Sequence, residues 1–476
     1  MRQHKKEKLF AQGVVNLFST NKKDYPMRAN SKNKTERKEG FIEEKLSKID
    51  IEKLSKESEF SKRRSKKITA KDFILGFFIM DSNRENHSYQ NWAIKIGWII
   101  KDSVSKQALW KKMCCEQIVF LKKVLQAILN DSLSGKSNNP QGGTLKKFKN
   151  VIVEDSTCIQ LSDKLKEAYP GNGYKNNNDK TAILKVQAAY NITRRKFVRL
   201  DVTSFRENDQ GYSSKIVQIV KRGDLIIRDL GYFVLKVFKK FNKEGIYFIS
   251  RMWNGVHVFS RKDETVIDLA KMLKKRGKLD IEVFLGKEEK LPVRLVALPV
   301  EEEVANERRR KAKINRDKRC NPSKDHLYLL GWELFITNVN KEVLSSTDIA
   351  ELYFIRWRIE IIFKSWKSYF KIIDIPKDAN KIRTESYIYC MLIFITLFQV
   401  HFYNCFLSKT NRTNSKEISL LKLMQFVTRN IELILLGTLT VKLDNEDFLF
   451  DQISYYCIYE TRSDRLNFCQ KFQKLS

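Results

Sequence analysis

Apolar residues recur at helical spacing over Asn91 to Ile100 and again over Lys106 to Leu129, with Asp102, Ser103 and Ser105 between them. The stretch "SVSKQALWKKM" (Ser103 to Met113) reads as a helix opening after a short turn, which suits a helix-turn-helix unit and an ordinary helical hairpin equally. Asp131 to Gly143 is rich in Ser, Asn, Gly and Pro and reads as a linker. Beyond it the period changes from helix to strand. Val151 to Leu161 ("VIVEDSTCIQL"), Ile183 to Ile192 and Lys196 to Thr203 predict three strands, the last two joined by a short polar turn. A helix over Asp209 to Val220, a short buried strand over Asp224 to Arg228, a helix over Val234 to Phe241 and a strand over Ile246 to Ser250 follow. This order predicts a mixed α/β sheet with antiparallel leading strands. From about Met252 to Ser345 the pattern turns to short strands rich in Val, Leu and Phe, with a basic block from Arg308 to Arg319. The most regular helical pattern runs from about Asp348 to Phe370, and Leu420 to Leu436 also reads as helix.

Ser386 to Ser408 holds no Lys, Arg, Asp or Glu and is long enough to span a bilayer. It also contains Gln399, His401 and Asn404 and follows a charged helix closely. Polar side chains at membrane depth are costly, so a helix buried in a large core explains it better, and no membrane partner is expected.

Composition adds a partner. A chain of 476 residues suggests two or three domains, and 42% hydrophobic with 11% aromatic residues is ample for globular burial. Ninety Lys and Arg stand against 56 Asp and Glu, a net +34. Such a surface repels itself and points to a polyanion, nucleic acid before anionic membrane. Residues 1 to about 67 are mostly charged and end in Lys62, Arg63, Arg64, Lys66 and Lys67, the sign of a solvated arm that follows phosphates. The eight cysteines form no C-x-x-C pair and there are five histidines, so a structural zinc site is not expected and a reducing cytoplasm is. Phe10 to Phe18 is interrupted by Gln12 and Asn16 and makes a poor signal-peptide core.

Candidate chemistry begins on the regular helix. At about 100° per residue, Tyr353, Arg356, Glu360 and Lys367 fall within roughly 60° of one another. Leu352, Ile355, Ile359, Phe363, Trp366 and Phe370 fill the adjoining sector. Alone, this file also suits a salt-bridged surface, since Arg356 and Glu360 are an ordinary i,i+4 pair. Two further carboxylates change the picture. Asp155 interrupts an apolar strand, where an unpaired carboxylate is expensive, and Asp229 ends another, where ligands of α/β sheets collect. Three hard oxygen donors with no competing imidazole or thiol cluster suit Mg²⁺, with Mn²⁺ as a substitute. Two such ions about 4 Å apart support in-line displacement at phosphorus.

Tyr353-x2-Arg356-x3-Glu360-x6-Lys367 matches, position for position, the YREK signature of the insertion-sequence-four family of bacterial DDE transposases, and the chain resembles that family. "EDSTCIQL" resembles its first motif and "IIRDLGYF" its second, which makes Asp155, Asp229 and Glu360 the catalytic acids. "YPGNGYKNNNDKTAILKVQAAYNI" and "RENDQG" are similar to the stretches between those motifs. The resemblance covers roughly Lys147 to Gln399; some members have Arg where Leu230 stands, so that position receives no role.

The resemblance implies an RNase-H-like core, in agreement with the strand order, interrupted by a β-rich insertion that accounts for the gap from Asp229 to Glu360. It implies DNA contacts near the cleaved phosphate from Tyr353, Arg356 and Lys367. It also implies an insertion Trp that stacks on an extruded base, for which Trp332 is placed, although "YLLGWELFI" fits a core position equally. The expected map is a basic flexible arm (1–67), a helical DNA-binding domain (68–130), a core (147–251 and 346–408), the insertion (252–345) and a mostly helical C-terminal region (409–476). The implied activity is cut-and-paste transposition in the cytoplasm, on the nucleoid when bound. Two protomers would act on double-stranded DNA, with terminal inverted repeats and target as substrates. A plain RNase-H-like nuclease and an inactive DNA-binding descendant are the alternatives.

Overall fold

Alternation along one strand sets the layers. β1 (Val151–Leu161) sends Val151 and Val153 into one apolar core and Ile152 into a second on the opposite face. β4 (Leu225–Arg228) does the same, with Leu225 and Ile227 on one side and Ile226 on the other. Both strands are therefore covered on both faces, as expected for parallel neighbours in an α/β layer. In this computed structural model the described residues are 46–61, 67–82, 88–134, 143–171, 181–260, 265–314, 321–403, 418–430, 446–459 and 475.

One nine-stranded mixed sheet runs in the order β3-β2-β1-β4-β5-β9-β8-β7-β6. β2 (Ala182–Asn191) pairs antiparallel with β1 and with β3 (Lys196–Ser204). β1, β4 and β5 (Tyr247–Arg251) are parallel to one another. β6 (Val258–Phe259), β7 (Leu279–Leu285), β8 (Leu291–Pro299) and β9 (Trp332–Thr337) continue it antiparallel. The strands expected beyond Met252 are thus hydrogen-bonded to the sheet through β9 and β5, and helices accompany them: α8 (Leu269–Arg276), α9 (Glu302–Ile314) and α10 (Lys324–Leu329). The basic block from Arg308 is helical as far as Ile314; its residues 315–319 lie outside the described residues.

The first core lies under α1 (Ile51–Glu57), α2 (Ala70–Ser82), α3 (Tyr89–Ile100), α4 (Lys106–Trp110) and α5 (Cys115–Ser134), and under the later helices α11 (Ser346–Ile355), α12 (Trp357–Ser368), α13 (Lys381–Thr396) and α14 (Leu420–Arg429). The second core is covered by α7 (Leu235–Glu244) and α8. α6 (Asp209–Tyr212) is a single turn, and α15 (Glu446–Tyr456) packs near the end of the described chain.

Several expected boundaries move for local reasons. The arm is not solvated throughout 1–67, because Leu46 and Ile51 are buried in the first core; residues 1–45 and 62–66 lie outside the described residues. The linker begins later than Asp131, since α5 continues to Ser134. The pattern over Lys106 to Leu129 divides into α4 and α5. The helix expected over Asp209 to Val220 tightens after one turn into a 3₁₀ segment, Ser213–Gln218, where the Ser213 hydroxyl donates to the Tyr232 carbonyl at 3.1 Å. The helix expected over Asp348 to Phe370 runs as α11 and α12, joined at Arg356, which keeps helical dihedrals while its N–H tightens onto the Tyr353 carbonyl at 3.1 Å. The uncharged segment continues α13 into a π-helical turn, Leu397–Phe402; its residues 404–408 lie outside the described residues, and two of its polar side chains find partners within the protein. Gln399 accepts from the Trp366 indole at 3.2 Å, and Ser386 donates to Gln117 at 2.6 Å. Among the described residues no helix is long and apolar enough to cross a membrane. Of the helix expected over Leu420 to Leu436, residues 431–436 lie outside the described residues.

One buried ion pair joins β1 to β4: the Arg228 guanidinium donates to Glu154 Oε2 at 2.8 Å and to the Ser213 carbonyl at 2.8 Å. Burial raises the Glu154 pKa even with Arg228 opposing it. Removing one partner strands a charge in a fully enclosed site, at a typical cost of about 3–5 kcal/mol. Arg228→Met should therefore lower the thermal midpoint sharply, and adding Glu154→Gln should recover part of the loss. Equal midpoints for the single and double variants would show that the pairing contributes nothing.

Candidate active site

The sheet ends define the site. β1 and β4 stay in register only as far as Glu154 opposite Arg228, and each is followed at once by a carboxylate, Asp155 and Asp229. Asp155 shares the side of β1 that carries Val151 and Val153, so it faces the layer containing α11 and α12. Asp229 leaves the sheet at the start of a 3₁₀ turn, Leu230–Tyr232. Glu360 rises from the first turn of α12. α11 is anchored upstream by a capping box in which Ser345 and Asp348 satisfy each other's backbone N–H groups.

Arg356, at the junction of α11 and α12, reaches all three acids. Its Nη1 lies 3.0 Å from Asp155 Oδ2, its Nη2 2.6 Å from Glu360 Oε1, and its Nε 3.9 Å from Asp229 Oδ1. Side-chain exposure is 10% for Arg356 and 19% for Asp155, against 39% for Asp229 and 37% for Glu360. Like charges about 4 Å apart repel by roughly 4 kcal/mol at an effective dielectric near 20. Three carboxylates drawn together therefore require a compensating cation, and here the guanidinium supplies it. Burial opposes the Arg356 charge, but Tyr353, Asp229, Asp155 and Glu360 outweigh it and raise its pKa. The Tyr353 hydroxyl donates to Asp229 Oδ1 at 3.1 Å, and burial keeps that phenol well above its ordinary pKa. Asp155 is pushed up to about 7, chiefly by burial, with the Ser156 backbone N–H and Arg356 opposing and Asp229 and Glu360 adding to the rise.

The donor set is hard and anionic, which is the chemistry a divalent oxygen-loving cation requires. Among the described residues no three Asp, Glu, His or Cys side chains are already arranged around a common point for a metal; the three acids surround Arg356 instead.

Lys367 stands apart from the acids. It is half-buried about two turns beyond Glu360, and its charge is felt at the Cys158 thiol on β1, whose pKa burial raises and Lys185 and Lys367 lower. Trp332 opens β9, is half-buried, and packs on the second core with its ring centroid 6.2 Å from that of Tyr328. Two exposed indoles received no role from the sequence. Trp253 is 57% exposed just beyond Arg251, whose guanidinium lies 5.7 Å from the Tyr353 ring centroid. Trp357, 51% exposed, follows Arg356 directly. The "WNG" turn signal after a strand that runs beside β4 marks Trp253 in the sequence, but its exposure is a tertiary fact.

The chain is similar to known proteins. The family model described as Transposase DDE domain matches residues 146–395. A transposase for insertion sequence element IS231E from Bacillus thuringiensis subsp. finitimus is 26% identical over 367 residues, covering 73% of this chain and 76% of the relative. A transposase for insertion sequence element IS1151 from Clostridium perfringens is 28% identical over 377 residues, covering 75% and 78%. A solved piggyBac transposase synaptic complex with hairpin DNA superimposes at a TM-score of 0.43 with 12% identity, over 88% of this chain and 84% of that one.

The raised Asp155 carboxyl has a signed consequence. Between the usual 3.8 and about 7, the folded protein holds a proton that the unfolded chain has released. Stability therefore falls as pH climbs through that window, and the full cost stands above it. In chelator, the thermal midpoint of Asp155→Asn minus that of the unsubstituted protein should grow from about pH 4 to about pH 8. A difference that is flat across this range would contradict the assignment.

Proposed function

Because the chain belongs to the DDE transposase family, we propose that it acts in DNA transposition through Asp155, Asp229 and Glu360 as catalytic acids holding two Mg²⁺ ions, with Mn²⁺ as a substitute. The observation that carries this assignment is the meeting of three acids, distant in the chain, at the single guanidinium of Arg356. The strand order β3-β2-β1-β4-β5, with acids after β1 and β4 and a third on a helix packed across them, supports an RNase-H-like core over 147–251 and 346–408. The strands and helices of 252–345 form its insertion.

When bound, the ions supply the Lewis acidity that activates a water or a 3′-hydroxyl and stabilises the departing oxygen. The chain's own groups do the rest. Asp155, Asp229 and Glu360 would hold the ions, whose charge would replace that of Arg356 at the acids, and Arg356, Tyr353 and Lys367 are the groups that would grip phosphates beside the cleaved bond. Arg251 stands at the Tyr353 ring, and the exposed rings of Trp253, two residues beyond Arg251, and Trp357, three residues before Glu360, offer stacking faces for an unpaired base; Trp332, packed on the core, is the less accessible candidate. Residues 68–130 bind the transposon ends. There the exposed indoles of Trp98 on α3 and Trp110 on α4 stand among Lys95, Lys101, Lys106 and Lys111. Two protomers complete the working complex on inverted-repeat ends and target DNA.

Asp155→Asn, Asp229→Asn and Glu360→Gln should each reduce Mg²⁺-dependent cleavage by about a thousand-fold or more, several kcal/mol at about 1.4 kcal/mol per tenfold. Binding of transposon ends should persist in all three. Full cleavage by any one of them would remove that acid from the site. Pre-cleaved ends mixed with target plasmid should yield joined product, whereas a nuclease without strand transfer would leave the ends unjoined. Arg356→Ala and Lys367→Ala should each make the plot of log affinity against log salt shallower by roughly one unit. An unchanged slope would assign them no phosphate contact.

A further inference from the structure

Main-chain pairing does not set the distance between the two aspartates. The β1–β4 ladder ends at Glu154 and Arg228, one residue short of each acid. Asp155 stays paired to β2 opposite Ala188, while Asp229 departs into its 3₁₀ turn. What spans the gap lies on the other face of the sheet, behind the acids. Ser156, the neighbour of Asp155, donates its hydroxyl to Asp209 Oδ1 at 3.1 Å. The same oxygen accepts from the Gln187 amide at 2.9 Å and from the Lys185 ammonium at 3.0 Å. The carbonyl of Gln187 in turn accepts from the hydroxyl of Tyr232, three residues beyond Asp229. Gln187 and Tyr232 are fully enclosed, so these bonds are not exchanged for water.

We propose that Asp209 is a positioning residue: it ties the strand end bearing Asp155 to the turn bearing Asp229 and so sets the spacing at which the two carboxylates receive divalent cations. This rests on the reading that those two acids are metal ligands. A carboxylate suits the position because three donors converge on one oxygen and one of them, Lys185, is a buried cation. The turn also comes close to Asp209. A Cβ at Gly231 would lie 3.3 Å from Asp209 Oδ2, so the segment is seated against that carboxylate. A second strap runs in parallel, from the Ser213 hydroxyl to the Tyr232 carbonyl and from Arg228 to the Ser213 carbonyl. Together the residues 209–213 clasp both strand ends from behind, leaving the front of the site to Arg356.

The test uses the full-length protein and Mn²⁺ alone, with free ion followed by electron paramagnetic resonance and no DNA turnover required. Asp209→Asn and Tyr232→Phe should each weaken Mn²⁺ binding by about tenfold or more, the usual effect of losing a group that orients ligands. Tyr232→Phe keeps the ring and removes only the end of the tie, so it should fold with a thermal midpoint near that of the parent, and it decides the matter if Asp209→Asn folds poorly. Unchanged Mn²⁺ affinity in Tyr232→Phe, whatever its midpoint, would reduce the tie to a purely structural contact and overturn the proposal. Asp155→Asn is the control. If it abolishes Mn²⁺ binding while Tyr232→Phe binds like the parent, the positioning role alone is lost. If Asp155→Asn binds as tightly as the parent, the metal reading fails and this proposal fails with it.

Discussion

The contact between Arg356 and three carboxylates is the constraint around which the proposed site and the elements that carry it are arranged. Two acids arrive from adjacent parallel strands and the third from a helix, and their mutual repulsion opposes the packing that brings the helix down on the sheet. A guanidinium is suited to the opposing role because its planar fork offers donors in several directions at once, which a lysine ammonium on a flexible stem does not. Its placement is local as well: Arg356 sits at the junction of α11 and α12, in helical dihedrals, four residues before Glu360. The arrangement holds positive charge at the place where the proposed chemistry requires it, and divalent cations would take over that function.

The two faces of the sheet divide the work. The front face joins the acids to Tyr353 and Arg356. The rear face carries polar contacts among Glu154, Arg228, Asp209, Lys185, Gln187 and Tyr232, all buried except the quarter-exposed Asp209. Exchanging buried polar bonds is costly. These lie directly behind the two strand ends that carry Asp155 and Asp229. The strict alternation of β1 makes this possible, since Glu154, Asp155 and Ser156 point to rear, front and rear in turn.

Charge and aromatic exposure complete the picture. An excess of 34 positive charges is spread over a chain whose described cysteines are all free thiols and whose long uncharged helix is enclosed by protein. That helix shows how composition alone misleads: Gln399 and Ser386 would be orphaned in lipid, but each meets a partner from another helix.

The sequence by itself determined the order and the approximate limits of the first five strands, the position of the three acids at strand ends and on a helix, and the family. Each of these follows from local signals: β-branched runs, the period of apolar residues, and a signature of four residues within one helical face. It did not reveal that the strands beyond Met252 extend the same sheet, because pairing between β5 and β9 joins segments some eighty residues apart. It did not show that Arg356 meets the other acids, because Asp155 stands about two hundred residues away in sequence. Nor did it give Asp209 a role: "RENDQG" resembles a family stretch, but the residue acquires its partners only when β1, β2 and the turn after β4 close around it. Local propensity and period are written along the chain; the convergence of charges and the seating of one segment against another are decided by packing, and only the folded molecule contains them.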